Sequence, residues 1–169
     1  MMSVVRILGL DPGLRNAGWG IIECQGNRLA HVAHGVVHSD SSLPLCLRLH
    51  QIHDGLQRII ENFLPHEAAV EETFVNANAA SALKLGMARG VVLLAPAIHS
   101  LVVGEYSANK VKKSVVGVGH ADKSQVAAMV QRLLPAAGSV KADAADALAV
   151  AICHAHHRQL KATYGILRA

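Results

Sequence analysis

Acidic side chains stand in this chain where an acid is hardest to keep. Asp11 closes the apolar run over residues 4–10 and is followed directly by Pro12 and Gly13. Glu71 and Glu72 end a short run, AVEETFV, that is otherwise apolar. Asp143 and Asp146 interrupt the segment KADAADALAVAI, residues 141–152. An ionised carboxylate away from water is costly unless a cation or hydrogen-bond donors compensate it. Strand alternation sends Glu71 and Glu72 to opposite faces, so only one of them can join Asp11. Three residues along a helix leave Asp143 and Asp146 about 60° apart and about 4.5 Å along the axis, on one face. A bland role exists for Asp143, since an acid in a first helical turn gains ~0.3–1 kcal/mol from the macrodipole. Asp146 lies deeper in an apolar helix and fits that role less well. Four carboxylates drawn together would raise one another's pKa values. Two divalent ions remove the conflict, and an all-oxygen donor set selects Mg²⁺ or Mn²⁺ over zinc. Two such ions about 4 Å apart form the clamp used for in-line attack on a phosphodiester.

The elements that must carry these acids read from the periodicity. Residues 4–10 form a continuous apolar strand, and 17–24 and 29–38 form two more, joined through Gln25-Gly26-Asn27. Pro44 opens a helix whose apolar positions, among them Leu49, Ile52, Leu56, Ile59 and Phe63, recur every three or four residues until Pro65. Residues 67–71 are a fourth strand, 78–95 a helix of small residues, and 101–103 a fifth strand. Helices over 108–114, 123–134 and 142–161 complete the chain. Three leading strands followed by alternating helix and strand predict an α/β layer fold with a mixed five-stranded sheet. The expectation is one domain over residues 1–169.

With 51% hydrophobic and 17% charged residues the chain is not a disordered one. The uncharged stretch over residues 90–104 is shorter than the ~18 apolar residues of a membrane span, and the N-terminal apolar run is too brief for a signal peptide. A soluble, cytoplasmic protein with no membrane partner is expected. Three cysteines without a C-x-x-C spacing are expected to be buried free thiols. The histidines, including His50 with His53 and His154 with His156 and His157, are expected at surfaces or helix ends rather than around zinc. The net charge is +4, and from Lys84 to Lys141 only Glu105 and Asp122 oppose the basic residues. That imbalance points to an anionic partner such as nucleic acid.

Five ordered blocks, LGLDPG, VEETF, SALKLGMARGV, VVGVGHADKSQV and ADAADALAVAI, resemble the RuvC family of Holliday-junction resolvases. The resemblance runs from about Val5 to His157. It implies a ribonuclease-H-like fold, a homodimer, and Mg²⁺-dependent symmetric nicking of four-way DNA junctions with two ions per site, Mn²⁺ being a substitute. It also implies partnership with the RuvA–RuvB branch-migration machinery. Asp11, Glu71, Asp143 and Asp146 fall on the family's catalytic and metal-binding carboxylates. Phe74 matches an aromatic that stacks on junction bases, and Lys112 and Lys123 match lysines close to the scissile DNA. Lys84 and Arg89 lie in the third block and are further candidates for DNA contact. Leu14 stands where a small hydroxyl residue is common, and Glu72 and Met87 where glutamine is common; none of these removes a catalytic acid. Two other readings compete. A phosphotransferase of the actin and sugar-kinase type also opens on a strand, Asp and Gly turn, but it needs two such lobes. A related nuclease acting on RNA, or a junction-binding module, is the other.

Overall fold

The computed structural model describes residues 3–73 and 78–163. Three strands, β1 (Val5–Asp11), β2 (Asn16–Gln25) and β3 (Arg28–His38), form an antiparallel meander. Helix α1 (Leu45–Phe63) then returns the chain so that β4 (Glu67–Glu72) lies parallel to β1. Helix α2 (Ala79–Ile98) leads to β5 (Val102–Ser107), parallel to β4. The sheet order is β3-β2-β1-β4-β5. Helices α3 (Ala108–Val116), α4 (Lys123–Leu133) and α5 (Ala142–Thr163) follow, with a short 3₁₀ turn at Pro135–Ala137 before the last.

Alternation along the strands builds two cores on the two faces of the sheet. Leu8 and Leu10 of β1, Ile21 of β2 and Ala68 and Val70 of β4 pack with Ile52, Leu56 and Ile60 of α1 and Ala88, Val92 and Ala95 of α2. Val5 and Ile7, Ile22 and Cys24, and Ala69 face the other way, onto Leu148 and Ile152 of α5 and Val111 and Val126 of α3 and α4. Helix α5 sits very close to the sheet. A Cβ placed on Gly9 or Gly18 would overlap the carbonyls of Ala147 and Asp143, so at both positions helix backbone rests directly on strand backbone. Only glycine allows that approach.

The elements differ from expectation in three ways. The first strand is shifted by one residue, from 4–10 to Val5–Asp11, so that Asp11 is its last residue and pairs with Gly18 of β2. Strand β5 continues to Ser107, because pairing to Val70, Glu71 and Glu72 extends it past the apolar residues that mark its start. Helix α2 runs through Pro96 to Ile98 and ends within one turn of the proline, which removes one i→i−4 bond from the last turn. By length and composition α2 could also cross a membrane, unlike the expectation drawn from residues 90–104. Here its Ala88, Val92 and Ala95 are buried against the core while Leu83, Met87, Leu94 and Ile98 are exposed.

Two expectations about single residues are corrected. Cys24 and Cys153 are buried free thiols, but Cys46 is exposed, since it sits on the solvent side of the first turn of α1. His154 is buried rather than superficial. Its Nε2 lies 2.8 Å from Oε2 of Glu67 and its Nδ1 2.9 Å from the Tyr106 hydroxyl.

Candidate active site

Ile7, Gly9 and Asp11 share one face of β1, and Glu67, Ala69 and Glu71 share the same face of β4. Because β1 and β4 are parallel neighbours, the last acid of each strand arrives at the same end of the sheet. Helix α5 crosses above that end and adds Asp146. Asp11, Glu71 and Asp146 thus line one cavity of about 270 Å³. Thr73, Lys112 of α3 and Lys123 of α4 complete its polar lining, and Ala108, Val111, Val126 and Ala149 form an apolar wall. Glu72, one residue on, faces away and lines a separate hollow with Thr73, Arg89 and Glu105.

The electrostatics follow from that crowding. Burial, then the charges of Glu71 and Asp146, raise the Asp11 carboxyl to about 8, with Lys123 acting the other way. Burial also raises Glu71, while the hydrogen bond with Asp11 works against the rise, as expected if Asp11 holds the proton and donates it to Glu71. Lys123 Nζ lies 3.0 Å from Asp146 Oδ2, and this bond raises the ammonium's pKa. Side-chain oxygens converge from three elements, with an ammonium on one of them and a hydrogen bond between the other two. Such a donor set fits a hard divalent cation. Among the described residues, no group of three or more such side chains is already closed to ion-holding distance.

The remaining candidates are placed as follows. Asp143 is half-buried one turn before Asp146 and does not line the cavity; its carbonyl rests on Gly18. Lys84 is exposed on α2. Arg89 is held by an ion pair with Glu105 of β5. Phe74 lies outside the described residues. Sequence reasoning did not single out Glu67. It is bound by His154 and, at 2.9 Å, by Arg158, and these bonds lower its pKa. The signal was its parity with Glu71 on β4 and the four-residue spacing of His154 and Arg158 on α5.

The five-stranded mixed sheet, with helices on both faces and acids gathered at one end, is a ribonuclease-H-like α/β fold. The family model for crossover junction endodeoxyribonuclease RuvC matches residues 7–154. The chain belongs to the RuvC family. It is 66% identical over 154 residues to the crossover junction endodeoxyribonuclease RuvC of Paramagnetospirillum magneticum, covering 91% of this chain and 93% of that one. It is 55% identical over 159 residues to that of Brucella ovis, covering 94% and 92%. The structure of Thermus thermophilus RuvC in complex with a Holliday junction substrate superposes with a TM-score of 0.83 at 32% identity, covering 92% of this chain and 96% of that one.

Proposed function

We propose that the protein resolves four-way DNA junctions by paired symmetric nicks, hydrolysing phosphodiesters at the cavity between β1, β4 and α5. The observation that carries this reading is the convergence of Asp11, Glu71 and Asp146 with Lys112 and Lys123 around one cavity, in a chain of the RuvC family. Asp11, Glu71 and Asp146, with Asp143 beside them, would hold Mg²⁺, for which Mn²⁺ can substitute. When bound, the metal offsets the carboxylates' repulsion and supplies Lewis-acid assistance to phosphodiester hydrolysis. Lys112 and Lys123 supply positive charge at the rim, drawing the DNA backbone toward the acids. The apolar wall of Ala108, Val111, Val126 and Ala149 limits water and strengthens each charge interaction within the cavity. Phe74, and Lys84 and Arg89 on α2, are further DNA contacts in this reading.

A homodimer places two such sites on one symmetric substrate. Leu83, Met87, Gly90, Leu94 and Ile98 form one stripe along α2 at three- and four-residue spacing, opposite the buried stripe. A second copy of the chain is the proposed cover for it. The RuvA–RuvB complex is the proposed partner on the junction, and the compartment that holds the DNA, the cytoplasm, is the site of action.

The test is cleavage of junction, duplex and RNA substrates side by side, with Mg²⁺ and with a chelator. Asp11→Asn, Glu71→Gln, Asp143→Asn and Asp146→Asn are each expected to lose nearly all junction cleavage and to keep junction affinity. The affinity comes mainly from lysine–phosphate contacts, whereas the acids act on the reacting phosphate. Full activity in chelator, or equal cutting of RNA, would overturn the assignment.

A further inference from the structure

Two strands from the cavity, the edge strand β3 carries an unusual run of histidines. The β2–β3 register shifts between Ile21 and Ile22, which pair with Ala33 and His31 and leave Val32 as the extra residue of a bulge. The bulge brings His31 and His34, three residues apart, onto one face, with His31 Nε2 2.8 Å from His34 Nδ1. His34, Val36 and His38 of β3 form one wall of a groove of about 370 Å³; Ser139, Lys141 and Ala144, around the start of α5, form the other. Among the described residues no carboxylate lines it.

The hydrogen bonds determine what these rings can offer. Asn16 Oδ1, 2.8 Å from His38 Nδ1, can only accept, so Nδ1 carries the proton. His38 Nε2 therefore becomes a donor only in the imidazolium. Burial and the neighbouring His34 lower the pKa of His31, so that its Nε2, 2.8 Å from His34 Nδ1, is the natural acceptor of the pair. A protonated His34 donates Nδ1–H to it and retains Nε2–H for another partner. The groups around the rings can be named element by element. Strand β2 contributes uncharged Asn16, and the 3₁₀ turn contributes nothing titratable. The start of α5 contributes Lys141 and the half-buried Asp143, and α1 packs against the opposite face of the sheet. Asp11 pairs with Gly18, and Gly18 with Val36, so the groove lies two strand spacings from Asp11, about 10 Å. At ~3.4 Å of helix axis per nucleotide, that is roughly three nucleotides along a DNA strand.

We propose that this groove is a second phosphate-binding surface, in which Lys141, His34 and His38 hold the DNA backbone roughly three nucleotides from the scissile position. The inference rests on the reading of the chain as a junction nuclease. Its test is metal-free junction binding titrated with salt at pH 6 and pH 8, for the wild type, Lys141→Gln, and a His34→Gln/His38→Gln double variant. Lys141→Gln is expected to flatten the dependence of log affinity on log salt by about one at both pH values. The double variant is expected to match the wild type at pH 8 and to bind several-fold more weakly at pH 6. Lys141 is exposed on the segment before α5, so its variant keeps the fold. Wild-type junction binding with unchanged slopes in both variants overturns the groove alone. A wild type that binds no junction overturns the nuclease reading as well.

Discussion

Asp11 is ill at ease as an anion in the metal-free protein, and its neighbours explain why. Burial contributes most, Glu71 and Asp146 add like charge, and Lys123 offsets only part of it. An acid whose carboxyl is raised from 3.8 to about 8 favours folding below pH 3.8, and that contribution is lost as the pH rises through 8. Asp11→Asn removes the charge while keeping the shape. Without metal at pH 8 it is therefore expected to melt a few degrees above the wild type, with the difference closing toward pH 4. Thermal melts of both proteins across that range check it; equal melting at pH 8 would mean that the carboxylates are not crowded in solution. Lys112 and Lys123, singled out through the resemblance, both line the cavity. The Lys123 bond to Asp146 was not legible in the sequence, because residues 23 positions apart meet only once α4 docks on α5.

Among the elements, α5 does most to define the site. At one end it presents Asp146 to the acids of β1 and β4, and at the other its His154 and Arg158 bind Glu67 at the start of β4. Gly104 of β5 belongs to the same seat, since a Cβ there would come within 2.7 Å of His154 Nδ1. The hydrogen bond from His154, and the bond and charge of Arg158, hold Glu67 below its ordinary 4.5. A depressed carboxylate stabilises the fold above the unfolded value and loses that contribution as the pH falls through its lowered one. Glu67→Gln is expected to cost about 2 kcal/mol at pH 7, with the difference from the wild type shrinking only as the pH falls through the carboxyl's lowered value, beneath its ordinary 4.5, measured by urea unfolding across pH. Most of the architecture was readable in advance. The run leading to Asp11, the α1 stripe and the parity of Glu71 are local signals that tertiary packing did not override. The true extent of β5 was not readable, because Glu105 and Tyr106 join the sheet through pairing to β4 rather than by their own pattern. His154 was misjudged for a related reason: its partners come from β4 and β5, far away in the chain.

For the whole molecule, the exposed stripe of α2 is the feature that a single copy leaves unsatisfied. Leu83 is 63% exposed, Leu94 52% and Ile98 55%, a continuous apolar face of the kind that marks an interface. Leu83→Glu with Leu94→Glu is expected to convert a dimer to a monomer in sedimentation while preserving the melt of the core. Paired nicking should fall to single, uncoordinated nicks. A wild type that sediments as a monomer and partitions into lipid vesicles would instead assign the stripe to a membrane. The contact of α5 with Gly9 and Gly18 has a kinematic consequence. Backbone resting on backbone has no rotamers to change and little room to slide, so the separation of the acids on β1 and α5 has no soft coordinate. Among the described charged groups of the cavity, Lys123 is the exposed arm, 79% exposed and tethered by one bond to Asp146. Adjustment to an incoming phosphate then falls to that arm, against acids held as a fixed anvil.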